Sequence, residues 1–173
     1  MEDLTRLVLK TAEELGATYV EARFQSDIRE SIVLKNGIPE VSVIEELKGL
    51  NVRVIFKKSL GFSSTNILSK RAAKDAARRA VNIAKASANA IRKGVSMSEE
   101  KLGEGKTEIK PRIGFDHMDL DSKIQLLKEA DKAAEQSANE AKAKLPARIF
   151  ILDNIITEKI IVSSDGARIS SII

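Results

Sequence analysis

The chain has 173 residues, of which 43% are hydrophobic and 31% charged, and its formal net charge is +4. This length suffices for one domain with a sizeable core, and the absence of cysteine excludes disulfides, thiolate metal sites and cysteine nucleophiles. No apolar run approaches the roughly eighteen residues of a membrane span, and the N-terminus lacks the pattern of a signal peptide. We therefore expect a protein of the cytoplasm with no membrane segment.

The first part of the chain predicts one helix followed by antiparallel strands. Apolar residues recur at helical spacing over residues 3–15, and from residue 17 the period changes to two. Asn36 and Gly37 form a favoured two-residue hairpin turn, and residues 57–59 form a second turn. We expect four or five antiparallel strands before residue 66.

Ser69 is the predicted N-cap of a long helix over residues 70–92, whose many alanines indicate close approach to a sheet. Five cations project from the opposite side of this helix: Arg71, Lys74, Arg78, Lys85 and Arg92. A solvated face is the favoured interpretation, because charge runs on helices usually serve solubility. The alternative is a docking surface for an acidic protein or nucleic acid. Nucleic acid is the less expected partner, since the neighbours that base contacts require are absent.

The rest of the chain predicts a long surface loop over residues 94–116, a second long helix over residues 121–144 and three strands over residues 148–173. The predicted fold class is α+β, with a mostly antiparallel sheet covered by two long helices and a shorter N-terminal helix. A single domain covers residues 1–173.

Residues 154–167 nearly repeat residues 25–38, and both copies predict a hairpin after a helix-like stretch. The first copy continues through further strand-like segments, whereas the second stops at Ile173 within an apolar strand. Residues 169–173 would then form an uncovered sheet edge. We expect the chain to be an N-terminal fragment of a longer protein.

No catalytic residue and no metal ligand is predicted. His117 lies close to Asp119 and Asp121, but a single histidine in a chain without cysteine cannot supply the ligands of a zinc site. One of these two aspartates is instead expected to cap the second long helix. The chain therefore offers no cofactor site of its own.

Ser63, Ser64, Thr65 and Asn66 end a strand directly before a helix. Local hydrogen bonds between side chains and backbone at this junction are the simpler interpretation. The functional alternative is a polar segment that lines a cavity or contacts the backbone of a bound peptide.

Six stretches carry a family likeness: residues 24–26, 30–34, 49–55, 61–65, 121–123 and 161–166. Through them the sequence resembles the N-terminal domain of the TldD/TldE (PmbA) family of cytoplasmic metallopeptidases, and more closely the TldD side. The resemblance implies a non-catalytic domain of a zinc-dependent peptidase, described also as a modulator of DNA gyrase. It implies dimer contacts and walls of a peptide chamber, an unfolded peptide as substrate, and either a second copy or a TldE-type paralogue as partner.

In that family, zinc is held by a His-Glu-x-x-x-His motif and a later Cys in the C-terminal half. This chain has one histidine and no cysteine, so no ligand or catalytic role transfers to it. Two functions remain open: a domain of a peptidase that is inactive in isolation, and a stand-alone binding module that uses the basic helix face.

Overall fold

The computed structural model describes residues 1–97, 103–112, 114 and 117–173. It confirms the predicted α+β class, and no helix in the described ranges is both long enough and apolar enough to cross a membrane. In chain order the elements are α1 (Glu2–Glu14), β1 (Tyr19–Lys35), β2 (Ile38–Phe56), β3 (Ser59–Thr65), α2 (Lys70–Ser87), β4 (Glu104–Glu108), α3 (Leu120–Glu140), β5 (Ile149–Ser163) and β6 (Arg168–Ile172).

The described strands form one sheet in the order β3-β2-β1-β5-β6-β4. β3 pairs antiparallel with the end of β2, from Phe56↔Ser59 to Leu50↔Thr65. β5 and β6 also pair antiparallel, from Val162↔Arg168 to Glu158↔Ile172. β4 is the exception, because it runs parallel to β6.

The prediction that residues 169–173 form an uncovered edge is wrong. β6 has a strand on each side, with β5 on one and β4 on the other. β4 falls inside the segment 94–116 that the sequence predicts as a loop, and its residues are all exposed. The sequence of β4 shows no alternation of apolar and polar residues, so hydrophobic periodicity does not predict a strand there. Residues 98–102, 113, 115 and 116 of that segment lie outside the described residues.

Element boundaries also differ from the predicted ones. The strands expected before residue 66 are fewer and longer, since β1 and β2 each run without interruption. Helix α2 ends at Ser87, well before residue 92. The Ser87 hydroxyl donates to the Ile83 carbonyl oxygen at 3.0 Å, a local bond of the kind that competes with helix continuation.

The chain divides into two compact units. Unit 1 comprises residues 1–26, 47–108 and 157–173. Its core packs valines and other apolar residues of β1 and β2 against α1 and against an alanine face of α2. Gly61 on β3 permits the close approach that these alanines predict, because a Cβ at this position would lie 2.0 Å from the Ala80 carbonyl oxygen.

Unit 2 comprises residues 27–46 and 109–156. Its buried cluster is small, with Ile32, Leu34 and Leu127 as the buried members. The predicted hairpin turn is confirmed: Asn36 has φ 49° and Gly37 has φ 78°, the pair of positive values that a type I′ turn requires.

Candidate functional site

The junction between β3 and α2 is held by local hydrogen bonds. The backbone N–H of Ile67 donates to Thr65 Oγ1 at 3.1 Å. The N-cap prediction is confirmed, because Ser69 Oγ accepts from the N–H of Ala72 at 3.2 Å. These bonds satisfy backbone donors that the start of a helix would leave unpaired.

Arg79 on α2 forms hydrogen bonds with Ser63 and Ser64, which precede Thr65 in the same junction. Its Nε donates to Ser63 Oγ at 3.1 Å, and its Nη2 donates to the Ser64 carbonyl oxygen at 3.2 Å. Ser63 is buried, whereas the side chains of Ser64 and Asn66 are exposed. Of the four candidates, Ser64 and Asn66 are therefore the ones open to a ligand. Sequence reasoning missed Arg79, because it stands among several other cations of the same helix.

The predicted basic face is only partly realised. Four of its cations are exposed on α2, and the fifth is exposed but lies beyond the end of the helix. In that order they are Arg71, Lys74, Arg78, Lys85 and Arg92.

Ion pairs and a cation–π contact within unit 1 already engage several cations of this face, which lowers the positive charge available to a binding partner. Arg78 lies 3.1 Å from the Asp75 carboxylate and Arg71 lies 4.0 Å from it. The Lys85 ammonium lies 5.3 Å from the centroid of the Phe56 ring, within the range of a cation–π contact. The face is a mixed surface rather than an unbroken row of cations.

Asp119 and Asp121, which follow His117 in the sequence, lie at the start of α3. Asp119 caps α3, accepting the N–H of Ser122 on Oδ1 at 2.7 Å. Hydrogen bonding to Ser122 lowers the pKa of the Asp119 carboxyl below its usual value. The described residues contain no group of three or more His, Cys, Asp or Glu side chains that could hold a metal ion.

Sequence reasoning missed a buried polar cluster in unit 2. Lys123 Nζ donates to both carboxylate oxygens of Glu30, at 3.0 and 2.7 Å, and Asn154 Nδ2 donates to Glu30 Oε2 at 2.8 Å. Glu30 is 4% exposed and Lys123 is 6% exposed. Burial alone raises the pKa of the Glu30 carboxyl, but the bonds from Lys123 and Asn154 outweigh it and leave the pKa below its usual value.

A signal for this cluster exists in the sequence. Glu30 stands in the alternating series of Ile28, Ile32 and Leu34, so period two places its carboxylate on the apolar face of β1. A carboxylate in that position needs a buried partner. Lys123 lies one helical turn before Leu127, which places it on the apolar face of α3.

The Lys123 and Asn154 side chains line a cavity of about 290 Å³ in unit 2, together with Met118, Leu126, Leu152 and Ile156. The Lys123 charge is already balanced by Glu30, so the described residues of the lining present apolar walls and one carboxamide. Such a lining suits a small uncharged group rather than an ion.

A second ion pair anchors the hairpin turn of unit 2. Arg148 donates from Nε and Nη2 to the two oxygens of Asp131, at 2.8 and 3.1 Å. The backbone N–H of Arg148 also donates to Asn36 Oδ1 at 2.9 Å. This bidentate pair is largely buried and ties α3, the start of β5 and the turn together.

In unit 1 the sheet carries another polar group of side chains around Glu21. The carboxylate of Glu21 accepts from Arg53 and, at 3.2 Å, from the Tyr19 hydroxyl. Burial, followed by the nearby charge of Glu21, raises the pKa of Tyr19 to about 12. Tyr19 therefore stays protonated and cannot act as a base near neutral pH.

Residues 20–84 match the family model of PmbA/TldA metallopeptidase domain 1. No curated protein matches the chain. Structural similarity extends further than the family match, because three solved structures each align with 99% of this chain.

One is a candidate modulator of a DNA gyrase from Thermotoga maritima, with a TM-score of 0.69 and 14% identity over 37% of its length. Another is a candidate modulator of DNA gyrase from Bacteroides thetaiotaomicron, with a TM-score of 0.70 and 16% identity over 38% of its length. The third is TldE from Thermococcus kodakarensis, with a TM-score of 0.66 and 15% identity over 36% of its length. At these identities the likeness concerns the fold, and the chain spans little more than a third of each protein.

Proposed function

We propose that this chain is the non-catalytic N-terminal domain of a TldD-like zinc-dependent peptidase of the TldD/TldE (PmbA) family, because residues 20–84 match the model of the family's first domain. The observation that carries the proposal is the family match at residues 20–84 within a fold that aligns along 99% of the chain. In this role the domain contributes dimer contacts and walls of the chamber in which an unfolded peptide reaches zinc. The zinc ligands belong to a part of the larger protein that these 173 residues do not include.

Assignment to the TldD side is part of this proposal. The structures with a similar fold include a TldE and two candidate gyrase modulators, which favour neither side. The two sides differ in whether the larger protein carries the zinc motif. Reading the coding sequence downstream of Ile173 is the first test. A His-Glu-x-x-x-His motif there supports the TldD side, and a stop codon directly after Ile173 contradicts the proposal.

Ser64 and Asn66 are the proposed contacts with the peptide, because their side chains are exposed where β3 ends. A photoreactive residue placed at position 64 of the full-length protein should crosslink to a bound substrate peptide. The same residue at position 140, exposed at the end of α3, serves as the matched control. Equal crosslinking at both positions would contradict a role of the junction in lining the chamber.

The chain by itself should neither retain zinc nor cleave peptides, since it lacks the ligand set that either requires. Metal content after dialysis against a weak chelator measures the first property, and release of a labelled peptide measures the second. Stoichiometric zinc that disappears in His117→Ala would overturn this expectation.

The second candidate function is a binding module that uses the exposed cations of α2. Its supporting observation is the exposure of Arg71, Lys74, Arg78 and Lys85 on one helix. Binding of an acidic protein or a nucleic acid by this face should fall steeply with salt, and neutralising Arg71, Lys74 and Arg78 should flatten that dependence. Because Asp75 pairs with two of these cations, we expect only weak binding that disappears near physiological salt. Tight binding at that salt concentration would favour the second function over the first.

A further inference from the structure

The first half of β2 is an open sheet edge. β3 pairs with β2 only over Leu50 to Phe56, and in the described part of the sheet no other strand lies on that side. Every residue over 38–48 is exposed, whereas the second half of β2 is mostly buried or half-buried. A strand that continues past its neighbour leaves unpaired backbone donors and acceptors, which is the usual template for strand addition.

The hairpin turn determines which residues present these groups. In a two-residue turn the flanking residues, Lys35 and Ile38, exchange backbone hydrogen bonds across the hairpin. Alternation then directs the backbone of residues 39, 41 and 43 away from β1. Pro39 fits this pattern, because proline is tolerated where a strand's N–H would point outward. Of these three residues, Val41 and Val43 offer both an N–H and a carbonyl at the open edge.

The negative charge of this edge favours a basic binding partner. Residues 38–48 contain three carboxylates, Glu40, Glu45 and Glu46, and one ammonium, Lys48. Glu40 has a partial partner in Lys35 at 3.8 Å, but both side chains are about half exposed and contribute little as a pair. The acidic excess stands out in a chain whose net charge is +4, and it is complementary to a basic segment.

A second copy of the chain is less complementary to this edge than a basic segment, because it would bring the same excess of carboxylates. Antiparallel pairing centred on Val43, for example, would set Glu40 directly opposite Glu46. Like charges opposite one another across a ladder are destabilising. The faces of the strand add a second requirement, since Val41 and Val43 lie on one side and Glu40 on the other.

We propose that the open edge of β2 at residues 39–43 binds an extended segment in which aliphatic and basic residues alternate. The added strand pairs its backbone with Val41 and Val43, sets its aliphatic side chains beside theirs and directs its Lys or Arg side chains toward Glu40. The inference goes beyond the proposed function, because this edge can bind such a segment whether or not the larger protein cleaves peptides.

The binding test uses a fluorescein-labelled peptide of alternating lysine and valine. Its controls are a peptide of the same composition with lysines and valines in two blocks, and one that alternates glutamate and valine. Fluorescence anisotropy should show tightest binding for the alternating basic peptide, with an affinity that falls as salt rises. Equal binding of the blocked peptide would overturn the proposal, and in that case Pro39 and the glutamates serve only to keep the edge unpaired.

Two variants separate the backbone and charge contributions. Val43→Pro removes an outward N–H while leaving the bonds to β1 in place, and should weaken binding by about three- to tenfold. Glu40→Gln should weaken it by about two- to fivefold at low salt and reduce its salt dependence. Glu140→Gln makes the same charge change at the exposed end of α3, outside β2, and should have no effect.

Hydrogen exchange gives a readout that does not depend on variants. The amides of Val41 and Val43 should exchange rapidly in the free protein and slowly with the basic peptide bound, because only the added strand protects them. If the peptide binds and these two amides stay unprotected, it occupies another surface and the proposal is wrong.

Discussion

Unit 1 buries fifteen apolar residues in one cluster, whereas the described part of unit 2 buries three and places two ion pairs beside them. The first arrangement gains stability from the apolar surface removed from water. The second depends on buried ion pairs. Removing one member of such a pair lowers stability strongly, because the other charge stays buried without compensation. Residues 39–43, which form the proposed binding edge of β2, belong to unit 2. The proposed binding segment therefore lies in the unit that buries fewer apolar residues.

Loss of one partner in the buried pair should have the largest effect. Lys123→Met leaves the Glu30 carboxylate buried, with Asn154 as a donor within the described residues, and should lower the free energy of unfolding by about 3–5 kcal/mol. The double variant Glu30→Gln, Lys123→Met removes both charges and should be more stable than the single variant. Urea unfolding of both variants measures the difference. A single variant that costs less than about 1 kcal/mol would mean that the pair behaves like an exposed one.

Overpacking at the close approach in unit 1 should come next. Gly61→Ala places a methyl group against the α2 backbone at Ala80 and Ala84, so the helix must shift away from the sheet. The expected cost is about 1–3 kcal/mol, again from urea unfolding. Gly105→Ala on β4 is the matched control, because a Cβ there meets nothing within 4 Å of the described atoms. Equal effects at both positions would argue against tight packing of α2 on β3.

The two helix caps should give the smallest effects and should differ in pH dependence. Ser69→Ala removes the α2 cap and should cost about 1 kcal/mol at any pH near neutrality. Asp119 has a pKa that is lower in the folded protein, so its cap stabilises above the pKa of the unfolded chain and is lost as pH falls through the folded value. Thermal unfolding of Asp119→Ala at neutral and acidic pH should therefore show a deficit only at neutral pH. A deficit of the same size at both values would contradict an ionised cap.

Local signals account for what the sequence predicted correctly. The turn at Asn36 and Gly37, the caps at Ser69 and Asp119, and the alanine face of α2 each depend on residues within one or two turns of each other. β4 escaped prediction because its five exposed residues carry no periodic signal and its pairing with β6 is long-range. The prediction of an uncovered edge at residues 169–173 was wrong for the same reason, because β4 is the strand that covers this edge.

The candidate site was predictable only in part. The hydroxyl residues of the junction were identified from the sequence. Arg79, which binds two of them, was not, because it is one of several cations on the same helix and nothing in the sequence distinguishes it. Glu30 signals a buried carboxylate by its place in an apolar series, yet its partner Lys123 is 93 residues away. Pairing over such a separation is a property of the fold, and no local pattern encodes it.

Amide hydrogen exchange followed by NMR as pH is lowered is the most direct test of the contrast between the units. Glu30 has a pKa below its ordinary value in the folded protein, so its contribution is present above the unfolded pKa and is lost as pH falls through the folded one. We expect amides of α3 to lose protection in that acidic range before amides of α2. The double variant Glu30→Gln, Lys123→Met should abolish this difference in pH dependence. Loss of protection in both helices at the same pH, or an unchanged difference in the double variant, would contradict this expectation.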